Sequence, residues 1–249
     1  MSKKIYTREE FENLCLESAE QMQEDKELYN QALDVKIKAG HEYYWVHQAR
    51  WFGEPCLQLT QDIMALQEVI YKSKPDYIIE IGVAWAGSLL FYSTIMEAIG
   101  GEGLIDIDVF IPQDLRERIA KHENLAKRIH LIENSSIEEE TKQKCFDIIG
   151  EGKKVMVILD SHHTHDHVLK ELQLYAELVK KDQYLIVSDT IIEYQPPADK
   201  RPRPWGTGNS PKTALDEYLK ENPRFEVDYD VQNKLLVTNH VGGYLRAVS

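Results

Sequence analysis

An aspartate and four histidines follow one another closely after a short apolar run. The run Val155–Leu159 has the composition of a buried strand, and it leads into Asp160 and then into histidines at positions 162, 163, 165 and 167. The carboxyl ends of strands are where α/β sheets place their chemistry, and imidazole titrates near neutral pH. The segment therefore predicts proton transfer. The histidines lie too close together on one turn to converge on zinc, and part of the cluster, with Thr164 and Asp166, fits the capping of the next helix.

A second segment, EIGVAWAGS, carries Gly82 and Gly87 between a predicted strand and a predicted helix. A missing side chain at such a turn lets a ligand approach backbone amides. The spacing differs from the GxGxxG dinucleotide fingerprint, so the glycines alone are weak support for a cofactor. Asp108 ends the next strand, at a position where an acidic side chain can accept hydrogen bonds from a ribose. Asp106 is a second candidate for this contact. The alternative for both residues is a place in a solvated turn without a ligand. Together the two segments predict an enzyme with a nucleotide-like cofactor.

Strands and helices alternate regularly from residue 60 onwards. Five predicted strands are nearly continuous in apolar residues: Tyr77–Ile81, Gly103–Asp108, residues 129–132, Val155–Leu159 and Tyr184–Val187. Strands that are apolar on both faces are typical of a parallel sheet covered by helices. Three late strands, in FEVDYD, KLLVTN and GYLRAV, are joined by short turns and predict an antiparallel edge. The expected fold is α/β, a doubly wound, mostly parallel, Rossmann-like sheet.

Residues 1–59 lack this alternation and predict a helical appendage on a Rossmann-like domain of residues 60–249. Thr7 and Glu10 have the spacing of a capping box, which predicts a helix that begins near Arg8, with helical sequence continuing until Gly40 ends it. The following segment is dense in aromatic residues, which favours an interface or the packing of the appendage over a ligand site. This appendage also favours a homo-oligomer.

The composition limits which binding partners and which cellular compartment are expected. The chain has 249 residues and a net charge of −13, so nucleic acid is a poor default partner. Cys15, Cys56 and Cys145 are odd in number and far apart, which fits neither a disulfide framework nor a CxxC site and indicates a reducing cytoplasm. The amino terminus has no signal-peptide core, and no apolar run is long enough to span a bilayer. We expect a soluble cytoplasmic protein without membrane partners.

Read in order, the motifs EIGVAWAGS, LIDIDV, ENSS, LDSHHTHDHV, YLIVSDT and GYLRAV resemble the cephalosporin hydroxylase family, which is similar to the macrolide-sugar O-methyltransferases. The likeness runs roughly from Trp51 to the carboxyl terminus, and LDSHHTHDHV is its most specific part. It implies the fold of the S-adenosylmethionine-dependent methyltransferases, in a family that is often oligomeric. It also implies methylation of a hydroxyl of a sugar or sugar-containing metabolite, assisted by a divalent metal.

The resemblance assigns residues to three parts of S-adenosylmethionine. These are Glu80, Gly82 and Ser88 on the methionine and ribose side, Asp108 on the ribose hydroxyls, and Ser135 or Ser136 near the adenine.

The resemblance also implies a metal site and a general base. Asp160 and Asp189 match two of the family's three acidic ligands, whereas Ser188 stands where the pattern has a carboxylate. Two carboxylates hold Mg²⁺ more weakly than three, so the metal requirement is open. His163 occupies the position of the base in the family's sugar methyltransferases. An alcohol of high pKa attacks a sulfonium poorly until a base or a metal helps to remove its proton, so catalysis is assigned to His163 and Asp160.

The candidate acceptor residues are aromatic: Trp205, Tyr194 and Trp51. Trp205 lies in a proline-rich loop with Lys200, Arg201 and Arg203, in an otherwise acidic chain. Such a loop either recognises a phosphate or carboxylate on the acceptor, with the indole stacked on a sugar face, or is a mobile solvated segment.

Two alternatives to a methyltransferase stay open from the sequence. One is a hydroxylase, as the family name has it. The other is a cofactor-binding homologue without catalysis, for which Ser188 and Ala86 are the motivation.

Overall fold

The computed structural model describes residues 5–198 and 200–249. Its strands are Arg50–Trp51 (β1), Glu54–Pro55 (β2), Tyr77–Ile81 (β3), Gly103–Asp108 (β4), Ile129–Glu133 (β5), Val155–Leu159 (β6), Tyr184–Val187 (β7), Phe225–Val227 (β8) and Tyr244–Ala247 (β9). Within the described residues, seven of these strands form one sheet in the order β5-β4-β3-β6-β7-β9-β8, and β1 pairs with β2 in a separate hairpin. Strands β3 to β7 are parallel, and β9 and β8 form the predicted antiparallel edge.

Helices cover both faces of this sheet. The helices of the described residues are Arg8–Glu24 (α1), Lys26–Tyr43 (α2), Thr60–Ser73 (α3), Gly87–Ile99 (α4), Gln113–Ala120 (α5), Glu123–Ala126 (α6), Glu139–Ile149 (α7), His165–Tyr175 (α8), Pro211–Glu221 (α9) and Tyr229–Gln232 (α10), with 3₁₀ turns at Trp45–His47, Ala176–Leu178 and Thr190–Tyr194. One buried apolar cluster packs α7, α8 and α9 against the sheet, and another packs α3, α4 and α5 against its opposite face. The prediction of a doubly wound α/β fold is therefore confirmed. Among the described residues, no helix has the length and apolarity needed to cross a membrane.

The strand register brings several loops to one edge of the sheet. Ile81, the last residue of β3, lies opposite Ile107 of β4 on one side and Leu159 of β6 on the other. The chain leaves β3 towards β4 and later returns to β6 on the other side of β3. The order of strands therefore reverses at β3, and such a switch point is where open α/β sheets bind ligands.

The amino-terminal helices agree with the sequence at their start and differ at their end. The Thr7 side chain accepts a hydrogen bond from the Glu10 amide and the Glu10 carboxylate accepts one from the Thr7 amide, so the predicted capping box is confirmed. Helical structure breaks once at Asp25, whose side chain caps α2. The prediction that Gly40 ends the helix is wrong. Glycine is tolerated there, and α2 ends only where Tyr44 adopts a left-handed conformation with φ of 53°.

The predicted strand in KLLVTN is also wrong. Residues 234–239 form a loop of turns and bends against α3, and β8 pairs directly with β9. Asp62 of α3 is fully buried and accepts hydrogen bonds from the Thr238 hydroxyl at 2.5 Å and from the Asn239 amide at 2.9 Å. Side chains of α3 therefore satisfy polar groups for which a strand would need a neighbouring strand.

Candidate active site

Three ionisable side chains meet where β6 and β7 end. Asp160 follows β6, His163 lies on the turn after it, and Asp189 follows β7. One potential ligand atom from each of the three lies within 4.8 Å of the others, and His163 Nε2 is 3.4 Å from Asp189 Oδ2. The cluster forms because β6 and β7 are paired neighbours, and Asp189 turns the chain sharply with a left-handed φ of 54°.

The electrostatics of Asp160 suit a cation or a shared proton. Burial raises the pKa of Asp160 well above its usual value, and the negative charges of Asp189 and Glu80 raise it further. Gln58 opposes this shift, because its side-chain amide donates to Asp160 Oδ2 at 2.9 Å. A divalent cation reverses such a shift by stabilising the charged form. The donor set of two carboxylate oxygens and one imidazole nitrogen fits such an ion.

Ser188 precedes Asp189 and is 1 % exposed. Its hydroxyl has no hydrogen-bond partner in the part of the chain that the structure describes. Its role as a metal ligand stays a prediction.

The environment of His163 favours a neutral imidazole. Burial lowers the pKa of His163, and the negative charge of Asp189 partly opposes this effect. The imidazole is therefore unprotonated at neutral pH and has a lone pair to accept a proton. The Trp205 ring packs edge to face against it, with centroids 4.9 Å apart and planes at 89°.

The neighbouring histidines have structural partners. His165 Nδ1 lies 2.9 Å from the hydroxyl of Thr213 on α9, and His167 Nε2 lies 3.0 Å from Glu171 Oε1 on the next turn of α8. These contacts agree with helix-start and supporting roles.

Gly82, on the turn after β3, packs directly against the backbone of Asp160 after β6. Its φ of +110° is unfavourable for any residue with a side chain, and an added Cβ would overlap the carbonyl of Asp160. Next to it, Asp108 accepts hydrogen bonds from the Val83 amide at 3.0 Å and the Phe110 amide at 3.2 Å. The carboxylate of Asp108 is thereby fixed at the same sheet edge as Gly82. Its contact with a ribose stays a prediction.

Glu80 provides the clearest test of the cofactor's fit. It is 1 % exposed, and neither of its carboxylate oxygens makes a hydrogen bond of normal geometry among the described residues, although the nearby Ser88 hydroxyl opposes the rise of its pKa. Burial, and then the neighbouring Asp106, raise the pKa of Glu80 well above its usual value. A buried acceptor without a partner is costly, and a ligand that offers hydroxyl or ammonium donors satisfies it. S-adenosylmethionine carries both kinds of donor.

Ser136 belongs to a buried network around Glu171. The Ser136 and Ser161 hydroxyls each donate to Glu171 Oε1 at 2.6 Å, and the Tyr175 hydroxyl donates to the Ser136 carbonyl at 2.8 Å. The backbone carbonyl of Ser135 accepts from Thr141. Both serines thus lie on the turn after β5, and their contact with an adenine stays a prediction.

A cavity of about 410 Å³ connects the glycine turn with the acidic cluster. Among its lining residues are Gly82, Ser88, Asp160, His163, Asp189 and Trp205. Part of each predicted group therefore shares one space: Gly82 and Ser88 of the methionine side, the two aspartates of the metal site, and His163. The other residues predicted for the cofactor and the metal do not line this cavity; they are Glu80, Asp108, Ser135, Ser136 and Ser188.

Several polar residues that line the same cavity could not be assigned to it from the sequence, among them Lys36, His47, Gln58 and Asn239. They come from α2, the aromatic segment, the stretch before α3 and the 234–239 loop. No local motif marked them, because each reaches the site through a contact between distant parts of the chain.

Two of the three candidate acceptor residues lie outside the lining of this cavity. The Trp51 indole donates to the Thr94 hydroxyl at 3.1 Å and packs on Phe91 with centroids 5.1 Å apart. Tyr194 is 48 % exposed at the end of a 3₁₀ turn. The structure thus gives Trp51 a packing contact with α4, and a role of either residue in acceptor binding stays a prediction.

The sheet order, with a cavity at its switch point, is that of the Rossmann-like S-adenosylmethionine-dependent methyltransferase fold. A solved structure of CmcI with Mg and S-adenosylmethionine is 19 % identical, with a TM-score of 0.56 over 82 % of this chain and 78 % of that one. A putative caffeoyl-CoA O-methyltransferase from Staphylococcus aureus gives a TM-score of 0.51 at 15 % identity over 79 % of this chain and 90 % of that one.

The family model "Rhamnosyl O-methyltransferase/CmcI" matches residues 43–248, and the chain belongs to this family. The resemblance inferred from the motifs is thereby confirmed. Among curated relatives, rhamnosyl O-methyltransferase of Mycobacterium tuberculosis is 24 % identical over 225 residues, 88 % of each chain. The protein of the same name from Mycobacterium leprae is 28 % identical over 214 residues, 82 % of this chain and 87 % of the relative.

Proposed function

We propose that this protein is an S-adenosylmethionine-dependent O-methyltransferase that methylates a hydroxyl of a sugar or a sugar-containing metabolite. The observation that carries the proposal is the common cavity, in which His163 and two carboxylates face the Gly82 turn. Family membership and the names of the curated rhamnosyl O-methyltransferases support the reaction and the kind of acceptor.

The chain's own residues account for cofactor binding. Gly82 lets the cofactor approach the backbone at the end of β3, and Glu80 accepts hydrogen bonds that no described residue supplies. Ser88, on the first turn of α4, lines the cavity and contacts the methionine end. Asp108 accepts from the ribose hydroxyls, and Ser135 or Ser136 lies beside the adenine. When bound, the cofactor supplies an activated methyl group on a sulfonium.

His163 removes the proton of the acceptor hydroxyl. One nitrogen of its imidazole accepts this proton while the oxygen forms the new bond to carbon and the carbon–sulfur bond breaks, so that S-adenosylhomocysteine leaves and the proton passes to solvent. Asp189, 3.4 Å away, stabilises the imidazolium that forms. Trp205 holds the imidazole ring by its edge-to-face contact and excludes water. General-base help of this kind contributes about 10²- to 10⁴-fold in rate.

A divalent cation fits between Asp160 and Asp189, where it would lower the pKa of a bound hydroxyl. The same His163 nitrogen cannot both bind this ion and accept the proton, so we assign the ion to the two carboxylates. Ser188 and water would complete its coordination.

The test is methyl transfer to a rhamnoside, followed by mass spectrometry. His163→Ala should lower kcat/KM about 10²- to 10⁴-fold and leave the affinity for S-adenosylmethionine unchanged. His165→Ala is the matched control, because that histidine contacts α9 outside the cavity lining. Full activity of His163→Ala would contradict the assignment of the base.

We also propose a soluble, cytoplasmic homo-oligomer in which residues 1–59 form an appendage that serves as the interface. Tyr43, Trp45 and Phe52 support this, because they are 64 %, 44 % and 60 % exposed and neighbouring exposed aromatic residues mark interaction surfaces. Light scattering after size-exclusion chromatography should give a multimer mass. A monomer at micromolar concentration would contradict the proposal.

A further inference from the structure

Two arginines lie at the mouth of the cavity in a protein whose net charge is −13. Arg201 and Arg203 belong to the loop between the 3₁₀ turn Thr190–Tyr194 and α9, and both line the cavity together with Trp205. Neither arginine makes an ion pair within residues 5–198 and 200–249. This contrasts with the ion-paired Arg116 and Arg118 elsewhere in the chain.

A neutral partner orients Arg201. Its guanidinium donates to His47 Nε2 at 2.8 Å, and a guanidinium is always charged, so His47 must accept with the lone pair of a neutral ring. Burial and the adjacent Arg201 lower the pKa of His47, which keeps this ring neutral. The contact therefore fixes the direction of Arg201 and leaves its positive charge uncompensated.

Arg203 is connected to the reaction centre through Trp205. Its guanidinium carbon lies 5.2 Å from the centroid of the Trp205 ring, and the same ring contacts the His163 imidazole. The positive charge of Arg201 acts unfavourably on Arg203. Both arginines are exposed, so water screens their mutual repulsion, and both charges remain accessible to an anion that enters the cavity.

Lys36 adds a third positive charge to the wall of the cavity. It is 8 % exposed on α2, and no ion pair to it occurs among the described residues. Burial lowers the pKa of its ammonium, and the more distant charges of Asp189 and Asp62 oppose this effect. Three basic side chains therefore line the same cavity as the two carboxylates of the acidic cluster.

We propose that Arg201 and Arg203 form a subsite for an oxyanion, a phosphate or a carboxylate, that the acceptor sugar carries close to the hydroxyl that is methylated. The proposal rests on the methyltransferase function proposed above and narrows its acceptor class to anionic sugars. Guanidinium groups bind phosphate and carboxylate through paired, charge-assisted hydrogen bonds, and Trp205 offers a face or edge to the sugar ring. Neutral glycosides lack the group that this subsite binds.

Binding tests the subsite without relying on methyl transfer. Calorimetric titrations would compare methyl α-rhamnoside, rhamnose 1-phosphate and a methyl glucuronide, so that the neutral, phosphate and carboxylate arms are separate. The wild-type protein should bind at least one anionic sugar 10-fold or more tightly than the neutral glycoside. Arg203→Gln and Arg201→Gln should each remove most of this preference, because a charge-assisted contact is worth about 10-fold or more in affinity.

Lys200→Gln is the matched control. Lys200 lies in the same loop, is exposed and does not line the cavity, so its loss should change each affinity less than about twofold. Equal weakening by Lys200→Gln and Arg203→Gln would show a general electrostatic effect and overturn the proposal. Equal binding of all three sugars by the wild-type protein would also overturn it.

The cofactor's own carboxylate is the competing occupant of the subsite. S-adenosylmethionine affinity should therefore be the same in Arg203→Gln and in the wild type. A loss of cofactor affinity that matches the loss of sugar affinity would assign the arginines to the cofactor and overturn the proposal. Preferential binding of anionic sugars without any methyl transfer would leave the subsite standing and contradict only the proposed reaction.

Discussion

Asp62→Asn tests how the 234–239 loop is held against α3 beside the active site. Asp62 Oδ1 accepts from the Thr238 and Tyr244 hydroxyls at 2.5 and 3.1 Å, and Oδ2 accepts from the Asn239 amide at 2.9 Å. All of these groups are buried. An asparagine of the same shape keeps one oxygen for the two hydroxyls but turns an NH₂ group towards the Asn239 amide, so that two donors face each other.

The magnitude follows from these contacts. A buried amide left without an acceptor costs about 1–3 kcal/mol, and each bond that changes from a charged to a neutral acceptor loses about 1 kcal/mol. The reduced cost of burying a neutral side chain offsets part of this sum. We expect the free energy of unfolding to fall by about 3 kcal/mol, which for a domain of this size lowers Tm by about 6–12 °C.

Urea and thermal unfolding, followed by circular dichroism, measure this loss directly. Asp34→Asn is the control, because Asp34 is an exposed residue of α2, and its change should stay within about 0.5 kcal/mol. A loss below about 1 kcal/mol in Asp62→Asn would refute the idea that one carboxylate fixes the loop.

Three further predictions concern the site. Gly82→Ala should weaken S-adenosylmethionine binding more than 10-fold in calorimetry, because the φ of Gly82 is +110° and an added Cβ would meet the backbone of Asp160. Gly152→Ala is the control, since Gly152 also has a positive φ but open space around it, and this change should leave binding unchanged. Equal effects of the two changes would contradict the steric argument. In the pH profile of kcat/KM, the acid limb should have its midpoint below pH 6.5, because burial lowers the pKa of His163 and the base is lost only when the pH falls below that pKa. A midpoint above pH 6.5 would contradict the assignment of His163 as the base. In the absence of metal, Ser188→Asp should lower Tm, because it places a carboxylate at a position that is 1 % exposed. Addition of Mg²⁺ should raise the Tm of this variant more than it raises the Tm of the wild type. A variant Tm that does not change with Mg²⁺ would show that residue 188 does not face the ion.

The sheet was predictable from the sequence because its signals are local. β3, β6 and β7 are short, mostly apolar runs between turns, and a strand buried on both faces needs nothing more than such a run. The meeting of Asp160 with Asp189 was foreseen only through the family resemblance. The parallel pairing of β6 and β7 explains it physically, because paired parallel strands end at the same edge.

The remaining parts depend on contacts between distant residues. KLLVTN has the apolar content of a strand, but the buried Asp62, more than 170 positions earlier in the chain, satisfies its polar groups instead. Gln58 lies in the predicted appendage and yet donates to Asp160, 102 positions away. The division at residue 59 stays a prediction, and the cavity draws on residues from both sides of it. Periodicity along one chain carries no information on such pairs.

A calorimetric titration of the wild-type protein with S-adenosylmethionine, with and without Mg²⁺, tests most directly whether the protein is an S-adenosylmethionine-dependent methyltransferase. Saturable one-to-one binding is expected in both conditions, because the residues proposed to hold the cofactor, Glu80, Gly82 and Ser88, do not include either carboxylate of the metal pair. Any difference between the two titrations would measure how strongly Asp160 and Asp189 hold the ion. An absence of binding in both conditions would contradict the methyltransferase function and leave the Gly82 turn as a structural feature of the sheet.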